Sequence, residues 1–263
     1  MNQPLIEVRD LTHAYPDGTE ALRGVFLHIR AGESVAVVGA NGAGKSTLLL
    51  HLNGSLIPQH GTVRIGDFQV AKTALPNIRR TVGMVFQDPD DQLFMPTVAE
   101  DVAFGPLNLK LPPEEVERRV VSALDQVGAG HLRDRPPYKL SGGEKRLAAI
   151  ATVLAMAPAI LVMDEPSSSL DPCARRTLIE LLAGFRHTKI IATHDLDLVL
   201  DLCPRTIVLR EGRVMAAGPT GDIFADDRLL TASRLEPPLR LQACPACGRS
   251  GKSGWLPEKE ECI

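Results

Sequence analysis

The chain has 263 residues, enough for one large α/β domain and a short appendage; it is 44% hydrophobic but only 4% aromatic, so its core must be built of Val, Leu, Ile and Ala. A formal charge of −3 with no basic run argues against nucleic acid as the main partner. The N-terminus, Met1-Asn2-Gln3-Pro4-Leu5-Ile6-Glu7, lacks the basic and apolar regions of a signal peptide, so a cytosolic chain with reduced cysteines is expected.

Residues 5 to 30 alternate loosely and are broken by the turn sequence Tyr15-Pro16-Asp17-Gly18. Two or three antiparallel strands are predicted, with Tyr15 either a strand aromatic or a ring that stacks on a base. The buried-type strand Ser34–Val38 then runs into Gly39-Ala40-Asn41-Gly42-Ala43-Gly44-Lys45-Ser46-Thr47. That spacing, between a strand and a helix stopped by Gly54, is the phosphate-binding loop pattern. Glycines let backbone N–H groups close on phosphate oxygens, and the helix starting at Lys45 points its positive end at the same anion. Lys45 would reach the β- and γ-phosphates, and the Ser46 hydroxyl would ligate Mg²⁺. The motif implies a bound nucleoside triphosphate.

A hairpin is expected over residues 61–70 with its turn at Gly66-Asp67. The strand Val82–Gln87 ends in a polar residue, and strand ends are where open α/β sheets place ligand contacts, so Gln87 is a candidate Mg²⁺ or water contact. From Asp88 to Phe94 the chain is acidic and then apolar, either a solvated loop or a docking surface for a basic helix. An amphipathic helix follows from Pro113, with Val116, Val120, Ala123, Leu124 and Val127 on one face.

Ser141 and Glu144 form a capping box at the head of the next helix. Gly142 and Gly143 in its first turn weaken it unless a phosphate is met there. Leu147 to Met163 carries no charge over a length near the minimum for a membrane span, but Pro158 cuts it into a helix and the strand Ala159–Met163. The carboxylates Asp164 and Glu165 at that strand's end require a cation or strong donors: Mg²⁺ for Asp164, leaving Glu165 free as a base. The strand Lys189–Thr193 ends in His194, and two short strands follow within residues 206–218.

From Glu236 onward Pro, Gly, Lys and Glu dominate. Cys244-Pro245-Ala246-Cys247, with Cys262, is half of a zinc pattern, and a flexible tail over residues 236–263 is expected. Gly251-Lys252-Ser253 lacks the upstream glycine and strand of a second phosphate loop.

The ordered set Gly39–Thr47, Gln87, Leu140-Ser141-Gly142-Gly143-Glu144, Ile160–Glu165, Ser169-Leu170-Asp171 and His194 resembles the ATP-binding subunit of ABC transporters over roughly residues 4 to 235. The resemblance implies an α/β fold: a P-loop NTPase (RecA-like) core, an N-terminal antiparallel β subdomain, and a helical subdomain inserted at about 88–158, all within residues 1–235. It implies that Tyr15 stacks on adenine and that Gly39 through Thr47 hold the phosphates. Ser46, Gln87 and Asp164 would surround Mg²⁺. Glu165 would polarise the attacking water and His194 would contact the γ-phosphate. Ser141, Gly142 and Gly143 would meet ATP held by an opposite subunit, identical or similar, with Asp171 at that interface. Glu144 stands where Gln is usual, and Ser169 where Ala is common.

The stretches Val85–Phe94 and Thr97–Leu109 are further similar to energy-coupling-factor importers, especially their cobalt and nickel branch. That likeness implies a peripheral ATPase on the cytoplasmic face of the cell membrane. A transmembrane coupling subunit would dock near Asp88–Phe94, and a separate membrane component would bind the substrate. A vitamin importer of the same type, or a soluble non-transport ABC ATPase, are the alternatives.

Overall fold

A computed structural model describes residues 5–242. The cysteine pattern at Cys244, Cys247 and Cys262 lies outside the described residues. In chain order the first half contains β1 (Ile6–Ala14), β2 (Glu20–Ile29), β3 (Ser34–Val38), α1 (Lys45–Leu52), β4 (His60–Ile65), β5 (Phe68–Gln69), α2 (Leu75–Thr81), β6 (Val82–Val85), α3 (Val98–Asn108) and α4 (Pro113–Gln126). The second half contains α5 (Gly142–Leu154), β7 (Ile160–Asp164), α6 (Pro172–Gly184), β8 (Thr188–Ala192), α7 (Leu196–Leu202), β9 (Arg205–Arg210), β10 (Arg213–Pro219), α8 (Thr220–Ala225) and α9 (Asp227–Ala232).

Two sheets form. An antiparallel one runs β2-β1-β4-β5, and a mainly parallel one runs β10-β9-β3-β8-β7-β6. The central strands β7 and β8 are buried at every position, the mark of a parallel sheet covered on both faces. Successive side chains point to opposite faces. Val35, Val37, Ile160 and Val162 therefore pack with α1 and the antiparallel sheet, while Ala36, Val38, Leu161 and Met163 face the second core with α3 to α7.

The register aligns the strand ends. Val37 of β3 pairs with Ala192, Ala192 with Asp164, and Met163 with Val85 of β6. The residues that follow those ends, including Gly39, Gln87, Glu165 and His194, emerge along one edge of the sheet, where ligands of such folds bind.

The apolar run at Leu147–Met163 divides as expected: α5 ends at Leu154 and β7 begins at Ile160. Among the described residues no helix is long and apolar enough to cross a membrane. Of the segment expected to form a flexible tail, residues 236–242 are described, and they dock on α7; the remainder lies outside the described residues. Asp197 accepts from the Leu239 and Arg240 N–H groups at 3.0 and 3.2 Å, and the Arg240 guanidinium reaches Asp201 at 2.7 Å. Composition alone conceals such an anchor, because it depends on two carboxylates some 40 residues upstream.

Candidate nucleotide site

The turn between β3 and α1 has no room for side chains at two points. A Cβ on Gly39 would lie 2.2 Å from the Leu209 carbonyl oxygen, and one on Gly44 (φ +102°) would lie 2.4 Å from that of Ala21. The loop is thus pressed against β9 and β2, and α1 begins with neither a side-chain cap nor a first-turn acid. Its leading N–H groups are left for an anion. Lys45 is buried, and its ammonium donates to the carbonyls of Gly39 at 2.8 Å and Ala40 at 3.3 Å. Tyr15 shares a 3.0 Å hydroxyl contact with Thr47 and packs edge-on against His13.

A cavity of about 500 Å³ opens here. Tyr15, Asn41 through Thr47, Gln87, Glu165 and His194 line it, so residues far apart in sequence converge on the phosphate loop.

Asp164, at the last position of β7, is almost wholly buried, and its Oδ1 has no hydrogen-bond partner among the described residues. Burial pushes its carboxyl above the ordinary range, against the opposing pull of a Ser46 hydrogen bond and Lys45. A buried carboxylate with an unspent oxygen beside a hydroxyl offers the hard oxygen donors that suit Mg²⁺.

Glu165 sits in the left-handed region at φ +44°, where a non-glycine residue is strained. Its Oε2 accepts from the Thr193 hydroxyl at 3.0 Å and the His194 N–H at 3.3 Å, and lies 2.8 Å from His194 Nδ1. Its Oε1 lies 3.8 Å from the Lys45 ammonium.

The remaining expected site residues lie elsewhere. Ser141 caps α5 in the foreseen capping box with Glu144, and Asp171 caps α6 by accepting from the Ala174 N–H at 2.8 Å. Ser141, Gly143 and Asp171 line a separate cleft of about 270 Å³ between α5 and α6. Gly142 faces a third cavity of about 420 Å³ with Gln87 and Asp88 to Asp91. Gly143 also has a local packing reason, since a Cβ there would come within 3.0 Å of the Ala174 methyl, whereas Gly142 has no such crowding.

In the acidic stretch, Asp88 caps the turn Pro89–Asp91, and Asp90 pairs with Lys145 at 2.6 Å. Phe94 is 61% exposed and meets the half-exposed Phe104 edge-on at 5.0 Å, with Leu107 also exposed. Buried Asp101 secures this patch by accepting from the Phe94 and Met95 N–H groups, both at 3.0 Å.

Sequence reasoning passed over three contributors. Thr193 holds Glu165. Arg175 forms a bidentate pair with Asp195, at 2.6 and 2.7 Å, beside His194. Arg146 is buried against Gln87. Arg146 lies two residues beyond the motif Leu140–Glu144, and nothing in its spacing discloses a partner 59 residues away.

Fold and site together define a P-loop nucleoside triphosphatase. Residues 22–168 match the sequence profile of the ABC transporter family. A Geobacter sulfurreducens protein described only as an ABC transporter ATP-binding protein is 70% identical, over 95% of this chain and all of its own length. An energy-coupling factor transporter ATP-binding protein of Methanothermobacter thermautotrophicus is 49% identical, over 89% of this chain and 77% of its own. Among solved structures, cbiO1 from Clostridium perfringens, part of the ABC transporter complex cbiONQ, superposes with a TM-score of 0.77 at 40% identity, covering 87% of this chain and 94% of that one. The chain belongs to the ABC transporter ATP-binding family, in its energy-coupling-factor branch, whose activity is ATP hydrolysis coupled to transport.

Proposed function

We propose that this chain powers import of a transition-metal ion, cobalt or nickel, as the peripheral ATPase of a membrane complex. Residues 1–235 serve as the ATPase domain, with residues 88–158 as its helical insert. The observation that carries the reading is the division of the site. One cavity gathers the phosphate loop, Gln87, Glu165 and His194, while Ser141, Gly143 and Asp171 face outward from a different cleft. Phosphate-facing residues that cannot meet within one chain are explained by pairing with a second copy or a similar subunit.

In the paired state Tyr15 supplies a ring for adenine, and Gly39 through Thr47 wrap the phosphates with backbone donors. Lys45 gives its ammonium to the terminal phosphates, exchanging the Gly39 and Ala40 carbonyls for phosphate oxygens. Ser46, Asp164 and Gln87 would hold Mg²⁺, which when bound neutralises charge developing on the β- and γ-oxygens. Glu165, oriented by Thr193 and His194, takes up the role of aligning and deprotonating water. His194 faces the γ-phosphate, and the partner's Ser141, Gly142 and Gly143 close over it.

The coupling subunit is placed at Asp88–Phe94, where exposed carboxylates adjoin the Phe94, Phe104 and Leu107 patch. A basic helix with an apolar face matches that chemistry. Asp90 is already engaged by Lys145, so Asp91 and Asp88 carry most of the attraction. Support for a metal cargo comes from the likeness of Val85–Phe94 and Thr97–Leu109 to the cobalt and nickel branch, while the cbiO1 superposition supports work within a multi-subunit ABC transporter complex. A separate membrane component selects the cargo, and the chain works from the cytoplasmic face. The test is ATP-driven uptake of Co²⁺, Ni²⁺ and vitamins by the reconstituted complex. Uptake of Co²⁺ or Ni²⁺ is expected; uptake of a vitamin alone would replace the cargo, and absence of any membrane partner would remove the transport role.

A further inference from the structure

We propose that His13 and His51 are positioning residues for the base of the nucleotide. They hold the Tyr15 ring in place through a closed circuit of contacts running Tyr15, His13, His51, Thr47 and back to Tyr15. The inference rests on the reading of Tyr15 as the ring that meets adenine.

His13 and Tyr15 stand two residues apart where β1 ends, a spacing that sends side chains to one face. Their rings meet edge-on, with centroids 4.9 Å apart and planes at 85°. His13 meets His51 of α1 in the same manner, at 4.8 Å and 76°. The His51 Nδ1–H donates to the Thr47 carbonyl at 2.8 Å, and the Thr47 hydroxyl lies 3.0 Å from that of Tyr15. Thr47, a member of the phosphate loop, is thus held at both its carbonyl and its side chain. Tyr15 and Thr47 line the nucleotide cavity, whereas His13 and His51 do not. The two histidines therefore act through the residues they touch.

Both imidazoles are buried, and His13 Nδ1 and His51 Nε2 have no hydrogen-bond partner among the described residues. A buried nitrogen without a partner is costly, and a leucine at either place would avoid that cost. What the rings supply instead is orientation, because edge-to-face contacts have a preferred geometry that aliphatic packing lacks. Burial also lowers the pKa of each, so both are neutral rings at pH 7. The main chain beside Tyr15 is fixed separately. The Gln59 amide clasps Ala14, accepting from its N–H and donating to its carbonyl, both at 2.9 Å. The turn that follows closes when the Gly18 N–H donates to the Tyr15 carbonyl at 2.9 Å. With the backbone fixed, the freedom left to Tyr15 is in its side-chain torsions, and His13 and Thr47 restrict them. A ring ordered before the ligand arrives loses less entropy on binding, so the circuit contributes affinity for the base rather than for the phosphates.

The experiment measures the Kd of Mg-ATP on the full chain, and the Kd of tripolyphosphate, which carries the phosphates without a base. Tyr15→Leu, His13→Leu and His51→Leu should each weaken ATP on the order of fivefold, with tripolyphosphate affinity held within about twofold. The double variant Tyr15→Leu/His13→Leu should bind ATP no more weakly than Tyr15→Leu alone, because coupled residues are non-additive. His13→Phe, which keeps a ring against Tyr15, should stay within about twofold of the wild type. Should His13→Leu not fold, His13→Val, suited to a strand, takes its place. Wild-type ATP affinity in His13→Leu or His51→Leu, tripolyphosphate weakened as much as ATP, or losses that multiply in the double variant would overturn the positioning role. Wild-type ATP affinity in Tyr15→Leu would instead remove the reading of Tyr15, and the inference with it.

Discussion

The imidazole Nδ1 of His194 lies 2.8 Å from Oε2 of Glu165, although 29 residues separate the two. The pairing joins the ends of neighbouring strands β7 and β8. It leaves a buried carboxylate held from one side by Thr193 and His194 and from the other by Lys45, while the His194 ring remains 65% exposed toward the cavity. A carboxylate held this firmly beside a phosphate loop is suited to direct one water molecule.

Glu165→Gln keeps the size and the ability to accept from Thr193 but removes the basic oxygen. ATP binding should persist while hydrolysis falls by at least about 100-fold, the low end for a general base. Nucleotide binding by equilibrium dialysis and single-turnover phosphate release check this. Turnover near the wild-type rate would reject Glu165 as the base.

Much of this pair was legible beforehand, because apolar runs mark β7 and β8 and polar residues close both, Asp164-Glu165 and Thr193-His194. The phosphate loop was legible for a stronger reason: a strand, glycines at fixed offsets and Lys-Ser satisfy one chemical need together. Helix α3 was missed although Thr97 and Glu100 form a capping box for it, since the acidic and apolar run around it has no clear period. The attachment of Arg146 to Phe86 and Gln87 and the docking of Arg240 on α7 are long-range choices of a side chain among many carbonyls and carboxylates. Local pattern does not encode them.

His51, at the end of α1, is fully buried. Its Nδ1–H donates to the Thr47 carbonyl at 2.8 Å, and burial pushes its pKa down from 6.5 to about 4. The unfolded chain takes up a proton below pH 6.5 that the folded chain refuses until about pH 4. Stability contributed by this group should therefore be whole above pH 6.5 and be lost as pH falls toward 4, by at most about 3 kcal/mol. Urea unfolding at several pH values should show the wild type losing more stability across that window than His51→Leu. Parallel curves would refute the assignment.

Charge reversal should separate two adjacent aspartates. Asp91→Lys should weaken assembly with the transmembrane coupling subunit and leave ATP binding by the isolated chain intact, an effect that salt would mimic. Asp90→Lys also breaks the contact with Lys145, so it should in addition lower the stability of the isolated chain by up to about 1 kcal/mol, as for an exposed pair. Co-purification and thermal unfolding read the two effects; normal assembly with Asp91→Lys would move the docking surface elsewhere.

The division of the nucleotide site between two subunits is tested most directly by mixing two inactive variants. Lys45→Ala destroys the phosphate loop, and Ser141→Arg blocks the opposite face. A heterodimer of the two contains one site in which both faces are intact. ATPase activity measured after mixing should rise well above that of either variant alone; a mixture that stays as inactive as its components, although the variants are shown to pair, would contradict the shared site.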